Sequence, residues 1–316
     1  MSTTVEPLKA MPPAVRQVRA YFAPVDRGSG TPTGFDVAAH GRFALDTPPA
    51  PWIDLGSIFG FERASGTTIE PLLAGSPHVV QSQVRQTLAA TVELEFLGWG
   101  KLQMALTTGS QQMNLPVTGA TAVAVLTGST ATSVTVGAAN VGLFAVGQMV
   151  AVDVDYAPGA TGFMGSGVSA AYVSAAAATA IGSDANYTRR VTLNTGRIIA
   201  ITADSLILAE PLLASTPTTA MSVLTICGFA DREGGSFFQE WSALFVMDGE
   251  QGDRVIFYYP RLQAMQGAAE SQSALVKPLA RWSLAGRFRA LPVSDALDGE
   301  SVLCYRTYLP AATALI

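Results

Sequence analysis

The chain has 316 residues, of which 49% are hydrophobic and only 14% charged, with 30 glycines and a formal net charge of −5. Ordinary soluble domains carry about 25% charged residues, so burial in a homo-oligomer is the simplest remedy for so little solubilising surface, and residence in a membrane is the other. The acidic balance excludes a strongly basic nucleic-acid binder, and the length allows one large core or two modest ones.

The first region, 1–115, opens with a proline-punctuated segment, Pro12 and Pro13 through Pro48, Pro49 and Pro51. It reads as an extended arm or loop that partners would order. Trp52 to Gly56 and Ile58 to Phe61 are short apolar clusters suited to docking that arm. The opening residues scatter charges among prolines and lack an apolar h-region, so no secretory signal is expected. No stretch approaches the roughly 18 apolar residues of a membrane helix, and the Ala-rich run Ser169 to Ile181 is short and small-sided. Asn186, Tyr187 and Thr188 match a glycosylation sequon, read as chance without a signal peptide.

The strongest signal is an unbroken alternation from Val80 to Phe96. Val80, Val84, Leu88, Val92, Leu94 and Phe96 share the even face, and the odd face stays polar or small. A period of two is a strand with one wet and one buried face. At about 3.3 Å per residue this strand is roughly 55 Å long, where ordinary strands have about 5–6 residues. Such length suits a closed barrel, a fibre or a tube wall, with Val84, Leu88, Val92 and Phe96 covering the core. Lys101 to Leu106 then begins a return strand or a helical turn.

The second region, 116–226, has few charges and no tryptophan, and is rich in Thr, Ala, Val and Gly. Short β-like runs recur at Ser133 to Val136, Gln148 to Val154, Arg197 to Ile201, Ser205 to Leu208 and Met221 to Ile226. They predict a small barrel-like domain inserted into the first, with Tyr156 to Asp184 as a long loop. The third region, 227–316, resembles the first in composition. Ser236 to Met247 and Arg254 to Tyr259 are strands flanking the turn signal Asp248-Gly249. Arg261 to Pro278 is ambiguous, a helix or a pair of irregular strands, with a helical turn and a loop preferred. Arg281 to Leu291 alternates again, and Asp298-Gly299 turns it into Val302 to Leu309 as a second hairpin. The expected fold is mainly β, a sandwich or barrel with long strands interrupted by an inserted β-rich domain.

Motifs for chemistry are few. His40 and His78 lie far from any nucleophile elbow, which is absent. Gly162, Gly165 and Gly167 lack the helix and lysine of a phosphate loop. Asp153 and Asp155, two apart on a strand, could present carboxylates to a hard cation, but no recognised spacing supplies the remaining oxygens; a solvated strand end is the simpler reading. Glu93 and Glu95 are about 6.6–7 Å apart on one strand face, a poor fit to a retaining glycosidase. Cys227 and Cys304 have neither metal nor disulfide spacing and are expected as buried free thiols. The face Arg281, Arg287 and Arg289 lacks interleaved aromatics; it reads as an inter-strand ion-pair face or a solvated one rather than a nucleic-acid stripe. No catalytic residue, metal or cofactor is expected.

Three segments resemble the tail tube (major tail) proteins of long-tailed bacteriophages. They are Pro77 to Leu88 running on through Thr91 to Phe96, Val255 to Leu262, and Trp282 to Val293 with Asp298 to Leu303. The resemblance implies a virion protein assembled in the host bacterial cytoplasm. Its long strands would join those of neighbours into stacked rings, usually of six subunits, around a channel for DNA. It implies other tail proteins as partners (tape measure, terminator and tail tip) and DNA that passes without specific binding. Gln81, Gln83, Arg85, Thr87, Glu93 and Glu95 would then face the lumen, and the 116–226 insert would decorate the exterior. The alternative is another injection-machine part: a tail terminator, a capsid decoration protein or a contractile-system tube.

Overall fold

The computed structural model describes residues 15–25, 31–98, 100–108, 111–153, 192–232, 240–250, 252–265, 269–276 and 279–311. In chain order the first elements are β1 (Val15–Pro24), α1 (Val37–His40), β2 (Ile53–Ala74) and β3 (Val79–Phe96). α2 (Lys101–Thr108) precedes β4 (Gln111–Pro116), β5 (Val123–Ala124), β6 (Ser133–Thr135), β7 (Met149–Asp153), β8 (Thr195–Ile201), β9 (Ser205–Leu208) and β10 (Ser222–Arg232). The remaining strands are β11 (Glu240–Gly249), β12 (Arg254–Ala264), β13 (Ala269–Val276), β14 (Leu279–Ala290), β15 (Val293–Ser294), β16 (Ser301–Val302) and β17 (Tyr305–Leu309). The protein is mainly β. Its chain forms two compact units, one of Met1–Trp99, Leu106–Gly109 and Phe238–Ile316, the other of Gly100–Ala105 and Ser110–Phe237.

In the first unit the strand order is β13-β14-β3-β2-β1-β11-β12-β17, and β14 also pairs with β12. That extra pairing, Leu262↔Ala290 to Ala264↔Phe288, joins the ends of a six-strand path. The antiparallel strands β14, β3, β2, β1, β11 and β12 therefore close into a barrel, which removes free edges within it but not along the distal parts of β2 and β3. β13 extends the sheet from β14, and β17 extends it from β12.

Alternation decides what fills the barrel. Ala20 and Phe22 of β1, Val92 and Phe96 of β3, Phe245 of β11 and Phe288 of β14 are all 2% exposed or less. The Phe22 ring lies 5.9–6.4 Å from those of Phe96, Phe245 and Phe288. Gly286 is required by this packing, because a Cβ there would stand 2.7 Å from the Phe288 ring.

A second cluster covers the other face. Tyr21, Ala23, Leu244, Val246 and Ile256 pack under Trp52, with Phe35, Phe43 and Leu45 around them. β11 is buried on both faces, so Trp241 to Val246 are all buried and, apart from Ser242, apolar, with no alternation. Arg254 pins the covering segment. Its guanidinium bonds Asp248 Oδ1 at 2.8 Å and donates to the carbonyls of Gly41 at 3.1 Å and Phe43 at 2.9 Å.

Several expectations need correction. The proline-rich opening is not an arm throughout: Val15–Pro24 is a strand between β2 and β11. Residues 31–52 pack on the chain's own sheet, where Trp52 is only 5% exposed. Ile53–Ala74 is one 22-residue strand, not a pair of docking clusters. Of the two readings of Arg261 to Pro278, the preferred helical turn fails and the strands hold among the described residues: β12 runs to Ala264 and β13 starts at Ala269. Asp298-Gly299 closes only the short β15–β16 ladder, while β17 pairs with β12. Lys101 to Leu106 resolves as helix α2.

The second unit is a sheet ordered β4-β10-β7-β8-β9-β6, with β5 on β10. Val134, Val150, Val152, Ile198, Leu206 and Val223 form its core, each fully buried. Tyr156 to Asp184, Asp155, the three loop glycines, the Ala-rich run and the sequon at Asn186 lie outside the described residues.

Candidate assembly surface

β2 and β3 pair from Ile58↔Phe96 out to Ala74↔Val79, reversing at Gly75 to His78. β1 accompanies β2 only as far as Ile58, and β14 accompanies β3 only from Phe96 to Thr91. Beyond those points each strand's one partner among the described strands is the other. Residues 64–73 and 75–89 are all exposed. At about 3.3 Å per residue this two-stranded arm extends roughly 35 Å.

The arm is not polar. Ile69, Leu72, Leu73, Val79, Val80, Val84 and Leu88 are 46–58% exposed. Val84 and Leu88 therefore do not cover the core, which β3 reaches only from Ala90 onward, because no other described strand lies beneath the arm. Cross-strand polar contacts hold its middle: Thr68 and Thr87 hydroxyls bond at 2.6 Å, and Gln86 bonds Glu70.

Register shifts interrupt the row that the alternation implied. Thr68 faces Thr87 and Ile69 faces Arg85, which leaves Gln86 as an extra residue in β3. Leu72 faces Ser82 and Leu73 faces Val80, which leaves Gln81 as another. Each such bulge re-aims the side chains beside it and increases the local twist. Gln81, Gln83, Arg85 and Thr87 thus belong to the arm, whereas Glu93 and Glu95 belong to the barrel wall. A third bulge, at Gly60 with φ +57°, adds a residue to β2 between Phe59 and Glu62.

Glu93 and Glu95 stand on the strand face opposite buried Val92, Leu94 and Phe96. Arg287 on β14 sits across from Glu93 and binds it in a fork, Nε to Oε1 and NH2 to Oε2 both at 2.8 Å. Arg289 is exposed and lies opposite Thr91 and Gln263. Arg261 and Gln263 of β12 bond Glu240 of β11 at 2.8 and 3.2 Å. Around β3, β14 and the Glu240 end of β11–β12 the outer face of the barrel is thus a wet, charge-balanced wall rather than a basic stripe, whereas the Tyr21–Leu244 cluster covers it elsewhere. The Arg281 side chain lies outside the described residues.

The other singled-out residues are dispersed. His40 is exposed in α1, and His78 is exposed at the arm's tip. A groove of about 410 Å³ beside Trp52 is lined by Asp36 and His40, but the Asp36 carboxylate caps α1 through Ala38 and Ala39 N–H. Asp153 is not a solvated strand end; it is 2% exposed and accepts from Thr192 Oγ1. Cys227 is exposed and Cys304 half-buried, so neither is the buried thiol expected. Among the described residues no group of three or more His, Cys, Asp or Glu could hold a metal ion. Nor is any described helix long and apolar enough to cross a membrane.

Sequence reasoning passed over Lys101. Burial pushes its ammonium down to about 7. Its partners Asn114 and Thr192 come from distant segments without a motif between them.

No protein-family model matches this sequence, and no curated protein matches it.

Proposed function

We propose that the chain is a structural, non-catalytic subunit that self-assembles through the β2–β3 arm into stacked rings forming a bacteriophage tail tube. The observation that carries this reading is the arm. A two-stranded ribbon alone in water is marginal, and exposed strand edges invite another chain. Fully burying a Val, Leu or Ile side chain is worth about 1.5–3 kcal/mol. Covering the seven half-exposed ones therefore supplies on the order of 5–10 kcal/mol before association costs. A second copy of the same chain is the occupant that also satisfies the low charge content, and closed rings leave no arm uncovered.

The charge-balanced outer wall with Glu93, Glu95, Arg287 and Arg289 supports a surface past which a polyanion slides without binding. The arm's Gln81, Gln83, Arg85 and Thr87 add polar side chains beside that lining, but the bulges at Gln81 and Gln86 keep them from forming one row. The second unit, which falls between two segments of the first in the chain, is the exterior insert. The partners in this reading are further copies, the tape measure, terminator and tail tip proteins, and DNA in transit. The resemblance of Pro77 to Phe96, Val255 to Leu262 and Trp282 to Val293 to tail tube proteins points the same way.

The test is negative-stain electron microscopy of purified protein over a concentration series. Hollow filaments or stacked rings of constant diameter are expected. Single particles that bind capsids would support a decoration protein instead, and a monodisperse monomer at every concentration would remove self-assembly as the chain's own property.

A further inference from the structure

The second unit holds a polar cluster that assembly does not use. Lys101 opens α2, Asn114 lies in β4, Asp153 ends β7, and Thr192 precedes β8. Lys101 Nζ donates to Asn114 Oδ1 at 2.7 Å and to the Thr192 carbonyl. Asn114 Nδ2 donates to that same carbonyl at 3.2 Å. Asn114 and Thr192 are each 4% exposed, and Asp153 is 2% exposed. Thr192 Oγ1 bonds Asp153 and also accepts from Asn194 N–H at 3.0 Å, while Asn194 Nδ2 holds the Val152 carbonyl at 2.6 Å. The amine, the carboxamide and the carboxylate are thereby fixed around one threonine.

A C=O bond is about 1.2 Å long, so Asn114 Cγ lies no more than about 4 Å from Nζ, close to the separation of a near-attack arrangement. We propose that Lys101 and Asn114 condense into an intramolecular isopeptide bond, with Asp153 relaying the proton. Neutral Nζ attacks Asn114 Cγ, and the new Nζ–Cγ bond replaces the Cγ–Nδ2 bond. The Nζ proton passes to the Asp153 carboxylate and on to the departing nitrogen, which leaves as ammonia. Atoms and charge balance, and neither oxidant nor reductant is consumed.

Two features favour the reaction. Burial keeps a large share of Lys101 as the neutral, nucleophilic amine near pH 7, the Asp153 charge opposing that shift only in part. The Thr192 carbonyl holds nucleophile and amide together, so little entropy remains to be lost. The bond ties the first residue of α2 to β4 within the second unit and does not depend on ring assembly.

The experiment is intact-mass spectrometry of the full chain after incubation at pH 8, followed by digestion with a protease cutting at Leu106. The expected mass is about 17 Da below that of the sequence, one ammonia, with a branched peptide joining Lys101 to Asn114. Lys101→Arg and Asn114→Ala should each restore the full mass. Asp153→Asn should retain it, with Asp153→Glu recovering part of the loss. A full mass in the folded wild-type protein after prolonged incubation overturns the proposal. So does a deficit that persists in Lys101→Arg, because ammonia is then lost without Lys101, as in cyclisation of an asparagine to a succinimide. The wild-type digest decides the matter even where a variant fails to fold.

Discussion

The two halves of β3 carry similar side chains and meet opposite fates. From Ala90 to Phe96 the even residues are buried to 4% exposure or less, because β2, β14 and the Phe22–Phe245–Phe288 core surround them. From Val79 to Ala89 every residue is exposed, although Val80, Val84 and Leu88 are as apolar as Val92 and Leu94. Local sequence makes both halves strand; neighbours decide which half is core. The distal half therefore displays apolar surface that the described part of the chain does not cover, which is the physical basis for assigning it to a second copy.

Changing the distal half without the proximal half should break assembly alone. Leu73 and Val80 face one another across the arm, so Leu73→Lys with Val80→Glu keeps an attractive cross-strand pair while removing the apolar contact. Assembly, read by sedimentation and microscopy, should be lost, with monomer stability shifting by no more than about 0.5 kcal/mol. Changing the proximal half should do the reverse. Phe96→Ala opens a cavity beside Phe22 and should cost about 3–5 kcal/mol in urea unfolding.

A third expectation sharpens the barrel side of the contrast. Burial pushes Tyr259 up to about 12 from an ordinary 10. The folded state then holds its phenolic proton when the unfolded state has lost it, so the stabilisation is complete below pH 10. It is lost as pH rises towards 12, on the order of 2 kcal/mol. Unfolding midpoints across that range, compared with Tyr259→Phe, check it. The smallest effect belongs to the wall. The Arg287–Glu93 fork is 43–44% exposed, so a double-mutant cycle should give about 0–1 kcal/mol, weakening with salt.

The contrast also explains what is legible in the sequence. β3, the β11–β12 hairpin and β14 announce themselves by alternation or by a long apolar run. β2 does not, because Gly56, Gly60, Gly66 and Pro71 break its pattern and three register shifts lie along its pairing with β3. β13 is hidden by its polar stretch Glu270 to Ser273, which has no apolar face to read. The even face of β3 is legible as a face, but its burial is not, since burial belongs to partners and not to period. The Lys101 cluster has no signal at all. Its members are brought together by the second unit's sheet and not by spacing.

Hydrogen exchange on monomeric and assembled protein tests the central assignment most directly. Amides of residues 64–89 should exchange rapidly in the monomer and become protected on assembly, while those of residues 90–96 stay protected in both. Arm amides already protected in the monomer, or unchanged when the protein assembles, would contradict the assignment of the arm as the joining surface.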